Sequence, residues 1–270
     1  TYEVTNSQYV EFLNAKASVS DSNGLFNPEM STGKDEGLRL GGINRAGSGG
    51  AYSYSVYEAS GISAGDRPVN YVSFFDAARF ANWLTNGQGD GDTETGVYDL
   101  TAETVTRDST AWDNGGVAIA SEDEWYKAAY YDPTLNDGAG GYWNHAHQSN
   151  SIEAGDANYA DANDRAVDVG DYAESAYGTY DQGGNLWEWN DAVSEDTASG
   201  DKRNVRGGAY FSTEEELLRT FSFDQLATEE ISAVGFRVSS LAPIPEPSAF
   251  AVIFGSLSFS FAMVRRKRSR

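Results

Sequence analysis

Residues Gly183-Gly184-Asn185-Leu186-Trp187-Glu188-Trp189 decide how this chain is read. Tryptophan is scarce, and here two copies bracket one glutamate directly after a Gly-Gly-Asn turn. Side chains alternate sides along a strand, so Trp187 and Trp189 share one face and Glu188 points to the other. Two indoles on a core face hold the backbone rigidly. A lone glutamate opposite them, beside glycines that free nearby carbonyls, suits a hard cation. The same residues also describe a buried aromatic strand carrying a solvated acid.

Outward from this strand, three helix starts share one grammar. Thr5-Asn6-Ser7-Gln8 is a capping box followed by Tyr9, Phe12 and Leu13 at helical spacing. Ser73 to Asp76 opens a second helix with Ala77, Phe80, Ala81 and Leu84 on its apolar side. Ser121 to Glu124 opens a third, carrying Trp125, Ala128 and Ala129. Asn86-Gly87 and Asp132-Pro133 stop the last two. Between them lie long glycine-rich segments, and Ala51 to Val56 alternates like a strand.

The 29 glycines and 16 tyrosines among 270 residues point to a loop-rich fold with small sheets, and not to a helical bundle. Cysteine is absent, which excludes disulfides, thiolate metal sites and thiol nucleophiles. Five basic residues crowd the last six positions; removing them from the 19 in the chain leaves 14 against 41 acidic residues, a balance of −27. Such a body repels phosphate backbones, so no nucleic-acid partner is expected. The chain opens at Thr1-Tyr2-Glu3 without methionine or apolar leader, which reads as a fragment or processed product lacking its export signal.

The C-terminus changes character. Residues 241–247 hold the stiff Pro243-Ile244-Pro245-Glu246-Pro247 linker. Ser248 to Val264 follows as 17 uncharged, mostly apolar residues, read as one transmembrane helix, and residues 265–270 form the basic tail. The charge asymmetry orients the basic end toward the cytoplasm and the acidic domain outside.

Several motifs then line up in order. They are Tyr2-Glu3-Val4-Thr5-Asn6, Arg67-Pro68-Val69-Asn70-Tyr71-Val72-Ser73, Ser121-Glu122-Asp123-Glu124-Trp125 and Tyr177-Gly178-Thr179-Tyr180-Asp181. After these come Gly184 to Trp189, Arg206-Gly207-Gly208-Ala209-Tyr210 and Gly235-Phe236-Arg237. Over residues 1–240 the chain resembles the sulfatase-modifying factor family, whose type members are formylglycine-generating enzymes. The tail is similar to the PEP-CTERM sorting signal. That likeness implies export in a Gram-negative bacterium, processing by exosortase-type machinery, anchoring in the inner membrane and final placement at the cell surface or in an exopolysaccharide matrix.

The family resemblance implies an α+β, irregular, loop-rich fold of the C-type-lectin kind that holds calcium. Carried over by position, one calcium site falls on Asp181, the carbonyls of Gly184 and Leu186, and Glu188. A second falls on Asn158, the Tyr159 carbonyl and an acid of the Asp161–Asp164 run, with Asp161 first in line. Type members oxidise a substrate cysteine using copper held by two thiolates between the Arg-Gly-Gly and Gly-Phe-Arg motifs. The corresponding interval here, Ala209 to Val234, contains no sulfur, and carboxylates do not replace thiolates for Cu(I). Copper chemistry is therefore not expected, and no catalytic residue is assigned.

Other chemistry is weakly signalled. His145-Ala146-His147 places two imidazoles on one side of a strand without an identifiable third ligand. Asp90 to Glu94 starts like a calcium loop but lacks its later ligands, so it reads as a solvated turn. Arg206, which precedes Gly207, and Arg237, which follows Gly235 in the Gly-Phe-Arg motif, read as buried donors to loop carbonyls. The expected function is an exported, surface-tethered, calcium-stabilised binding or assembly module without thiol-oxidase activity, with an extracellular polysaccharide or protein as partner. The alternatives are an enzyme of the same family using another metal centre, and a glycan-binding module of an exopolysaccharide matrix that uses exposed tyrosines.

Overall fold

In the computed structural model, which describes residues 1–243 apart from 33, 36, 37, 40, 60 and 195–199, the three helices begin where the capping residues stand. Thr5, Ser73 and Ser121 each accept the backbone N–H three residues on, and Gln8, Asp76 and Glu124 each reach back to the cap. Helix α1 (Asn6–Lys16) buries Tyr9, Phe12 and Leu13, while α2 (Phe74–Thr85) buries Phe74, Ala77, Phe80, Ala81, Trp83 and Leu84. Helix α3 (Glu122–Tyr130) buries Trp125, Ala129 and Tyr130. The first two helices meet through aromatic rings: Phe12 lies edge-on to Phe80 at 5.4 Å, and Phe80 meets Phe236 at 5.5 Å.

The strands are short. β1 (Ile43–Ser48) and β2 (Ala51–Val56) form a hairpin, and β3 (Val117–Ile119) stands alone until a late strand pairs with it. β4 (Tyr131–Asp132) and β5 (Gly141–Tyr142) pair directly after α3. β6 (Trp187–Val193), β7 (Lys202–Arg206), β8 (Phe223–Leu226) and β9 (Val234–Phe236) make the one four-stranded sheet among the described residues, in the order β8-β7-β6-β9. β9 runs parallel to β6, and β10 (Val238–Ser240) crosses to pair antiparallel with β3. This α+β arrangement with long ordered loops matches the expected class.

The quoted stretch therefore becomes the central strand. Trp187 packs against a tilted Phe221 ring and an edge-on Phe223 ring, and the Trp189 indole donates to the Val72 carbonyl at 3.0 Å. Truncating either indole would cost about 3–5 kcal/mol by the usual range for buried Trp→Ala. Register sets Glu188 beside Arg206 on β7 and Gly235 on β9. The second face of β6 is not solvated as a strand-with-exposed-acid reading has it, because α3 lies over it and Glu188 is fully buried.

The 248–264 segment read as a membrane helix, and its basic tail, lie outside the described residues. Among those described, no helix is long and apolar enough to cross a membrane.

Candidate functional site

Glu188 sits where α3, the N-terminal segment and β9 converge. Both of its oxygens are engaged. Arg237 donates through Nε to Oε2 at 2.5 Å and through Nη2 to Oε1 at 2.6 Å, a bidentate pair, and the Trp125 indole N–H donates to Oε2 at 2.8 Å. Arg237 also donates to the Tyr180 carbonyl at 2.9 Å, so it is the buried loop-carbonyl donor that the Gly-Phe-Arg motif suggested. Arg206 behaves the same way, donating to the carbonyls of Arg219 and Phe221, each at 3.0 Å, and pairing with Glu122.

Two more acids are buried around this pair. Glu3 is 2% exposed and Asp181 is 5% exposed. The Gly170 amide donates to Asp181 Oδ2 at 2.5 Å, and the Asn185 amide donates to Glu3 Oε2 at 3.0 Å. Their other oxygens, Asp181 Oδ1 and Glu3 Oε1, are buried without a hydrogen-bond partner. Burial first, and then the charges of Glu188 and Asp181, hold the Glu3 carboxyl well above the usual range. Burial likewise pushes Asp181 up to about 6, against the opposing Gly170 amide. Three carboxylates thus face one buried guanidinium, a surplus of two negative charges when all are ionised.

The turn that presents Asp181 is held in an uncommon backbone state. Asp181, Gly184 and Asn185 all have left-handed φ, at 59°, 82° and 65°. Gly184 has a second reason to be glycine: a Cβ there would lie 2.2 Å from the Asn158 carbonyl oxygen. The Asn185 side chain, with φ already set, ties the turn to its surroundings by accepting from the Val167 amide at 2.9 Å and from Asn158 Nδ2 at 3.1 Å.

Of the first carried-over calcium set, Asp181 fits a cation, since its free buried oxygen has no other use, whereas Glu188 is closed by Arg237 and Trp125. Among the described residues no three His, Asp or Glu side chains are grouped to hold a metal ion. The residues of this set that could hold a calcium ion are therefore Asp181 and the carbonyls of Gly184 and Leu186, without Glu188.

The second set is engaged in part by the protein's own hydrogen bonds. Asn158 is bound into the Asn185 network and its oxygen accepts from Asn163 at 3.1 Å. Tyr159 is half-buried, and Asp161 is exposed with φ 58° and its amide bonded to the Tyr210 carbonyl.

The histidine pair lies in a loop and not on a strand. His145 is buried, its ring is stacked 5.7 Å from His147, and His147 Nε2 is 3.5 Å from Asp156. Asp90 to Glu94 is more than a solvated turn, because Glu94 forms a bidentate pair with Arg79 at 2.8 and 3.1 Å. The cysteine-free Ala209–Val234 interval includes a 3₁₀ turn, Glu214–Leu217, whose Leu217 side chain is buried against Ile152 and Ala157, and then β8.

A family model described as the sulfatase-modifying factor enzyme 1-like domain matches residues 1–241. The chain belongs to this family. It is similar to the hercynine oxygenase of Mycolicibacterium smegmatis, at 26% identity over 167 residues. That match covers 54% of this chain but only 31% of the relative's length. The fold is also that of a solved structure titled CarF, with TM-score 0.55 and 22% identity, covering 89% of this chain and 85% of that one. PvdO from Pseudomonas aeruginosa shares it at TM-score 0.51 and 16% identity, covering 88% and 77%.

Sequence reasoning named Glu188 and Asp181 but gave no role to Glu3, Trp125 or Asn185, which surround them. The missing signal is a long-range one: Glu3 and Asn185 are separated by 182 residues.

Proposed function

We propose that this family domain works as a calcium-stabilised binding or assembly module, exported and tethered at the cell surface, without the thiol-oxidase chemistry of the formylglycine-generating enzymes. The observation that carries the reading is the complete absence of cysteine, with the interval that would supply copper thiolates given over to a buried leucine and an acidic turn. Thiolate is the ligand that Cu(I) selects, and no residue of the Glu214–Leu217 turn supplies a soft donor. Calcium is supported by the two free buried carboxylate oxygens and the surplus negative charge around Arg237. An enzyme using His145 and His147 has Asp156 3.5 Å from His147 Nε2, but no group of three such side chains among the described residues is arranged to hold a metal ion.

Incubation with a sulfatase-derived cysteine peptide, with and without copper, tests the central negative. We expect the peptide mass to stay that of the free thiol in both. A copper-dependent conversion of that thiol to an aldehyde would sink the proposal.

Export and tethering rest on the tail. Seventeen uncharged residues followed by five cations in six positions form a segment that inserts and orients. In a Gram-negative host carrying an exosortase, and behind a working signal peptide, the full chain is expected in the membrane or surface fraction. Replacing Arg265, Arg266, Lys267 and Arg268 with glutamine is expected to release it from that fraction. Recovery of the unaltered full chain in the cytosol would contradict this part.

A further inference from the structure

The end of α3 and the β4–β5 hairpin gather tyrosines at the surface. Tyr126, Tyr142, Tyr131 and Tyr177 follow one another in single file, with successive ring centroids 5.3, 5.1 and 6.3 Å apart. Tyr142 and Tyr177 are each 46% exposed, and Tyr126 and Tyr131 are half-buried. Burying an aromatic ring stabilises a protein, so Tyr142 and Tyr177, each left nearly half open to water against the half-buried rings of Tyr126 and Tyr131, are a feature to explain.

The file is held in place from beneath. The Arg206 guanidinium lies 5.2 Å from the Tyr126 ring centroid, and Arg219 donates to the Tyr126 hydroxyl at 3.0 Å. The Trp143 indole donates to Asp132 at 3.1 Å and fastens the hairpin that carries Tyr131 and Tyr142. Gly140, at φ 81°, leaves room for the Tyr131 ring, since a Cβ there would meet the Tyr131 hydroxyl at 2.1 Å. The rings are therefore positioned before any ligand arrives, which lowers the ordering cost of binding.

Charge narrows what the file accepts. A body carrying −27 outside its tail repels polyanions. The Lys127 ammonium stands 5.9 Å from the Tyr131 centroid and 5.8 Å from that of Tyr177, so a cationic ligand at these rings would meet like-charge repulsion that an uncharged one does not. What remains is an uncharged ligand with apolar C–H faces to lie on the rings and hydroxyls to meet the tyrosine O–H groups and the Lys127 donors. A single file of rings is also too narrow for the roughly 800 Å² that each partner gives to a standard protein interface.

We infer that Tyr126, Tyr142, Tyr131 and Tyr177 form a stacking platform for an uncharged polysaccharide chain. The inference rests on the reading of the domain as a surface binding module and names the chemistry of its partner.

Affinity electrophoresis of the full chain in detergent decides it, using gels cast with neutral glucans, galactans and mannans and, separately, with alginate. A neutral polysaccharide is expected to retard the protein. The Tyr142→Ala/Tyr177→Ala double variant is expected to weaken that binding about tenfold or more, while Phe211→Ala, an exposed aromatic outside the file, leaves it unchanged. Circular dichroism melts of all three proteins should coincide, so that lost binding is not lost folding. Absence of retardation by every neutral polymer, stronger retardation by alginate, or binding that survives the double variant would each overturn the inference. Capture of a protein through the same tyrosines would overturn it too, yet leave the module reading standing. Conversion of a cysteine peptide would remove the module reading whatever the gels show.

Discussion

Replacing Glu188 with alanine is expected to lower the unfolding free energy by about 3–5 kcal/mol, the range for removing one partner of a buried ion pair. The magnitude follows from what is left behind. Arg237, 3% exposed, would lose its bidentate carboxylate and keep hydrogen bonds only to carbonyls, with Glu3 and Asp181 as its remaining counter-charges, and the Trp125 indole N–H would lose its acceptor in the core. A single domain of this kind typically holds a margin of about 5–15 kcal/mol, so the loss is a large share of the whole. Glu188→Gln should lose less, because the amide oxygen still accepts from Trp125. Pairing Glu188→Gln with Arg237→Met should not restore stability, since Glu3 and Asp181 then stay buried with no guanidinium beside them. Urea unfolding at neutral pH reads all of these. A loss below about 1 kcal/mol for Glu188→Ala would mean that the pair is not the keystone of this region.

Much of the architecture was legible before any coordinates. Capping boxes at Thr5, Ser73 and Ser121 act through contacts three residues apart, so the helix starts are written locally. The Trp-Glu-Trp alternation is equally local, and it became the central strand of the sheet.

The surroundings of Glu188 were less legible, for a topological reason. A parallel strand, β9, brings Arg237 from 49 residues away, and α3 brings Trp125 from 63 residues away. No periodicity encodes such a meeting. The bland expectation for a lone acid beside two indoles is a solvated side chain, and only the packing of α3 over the sheet makes it a buried one. The same holds for the tyrosine file, whose members come from a helix, a hairpin and a distant loop. His145 and His147 show the opposite error, in which spacing suggested a strand and the chain made a loop.

The most direct test of the central claim is a set of thermal melts in calcium and in chelator, at pH 7.5 and at pH 5. Asp181 and Glu3 have raised folded-state values, so each is destabilising when ionised. In chelator, stability contributed by these groups rises as pH falls from above about 6 toward the unfolded carboxylate range near 4, because the folded state takes up protons that the unfolded state does not. On the proposed reading, calcium would supply the balancing charge in place of those protons. An ion present at about 100 times its dissociation constant adds about 2.7 kcal/mol, or about 5–10 °C in melting temperature for a domain of this size. The account predicts that shift at pH 7.5, narrowing at pH 5, and a smaller shift at pH 7.5 for Asp181→Asn. Identical melting temperatures for the unaltered protein in calcium and in chelator at pH 7.5 would contradict it.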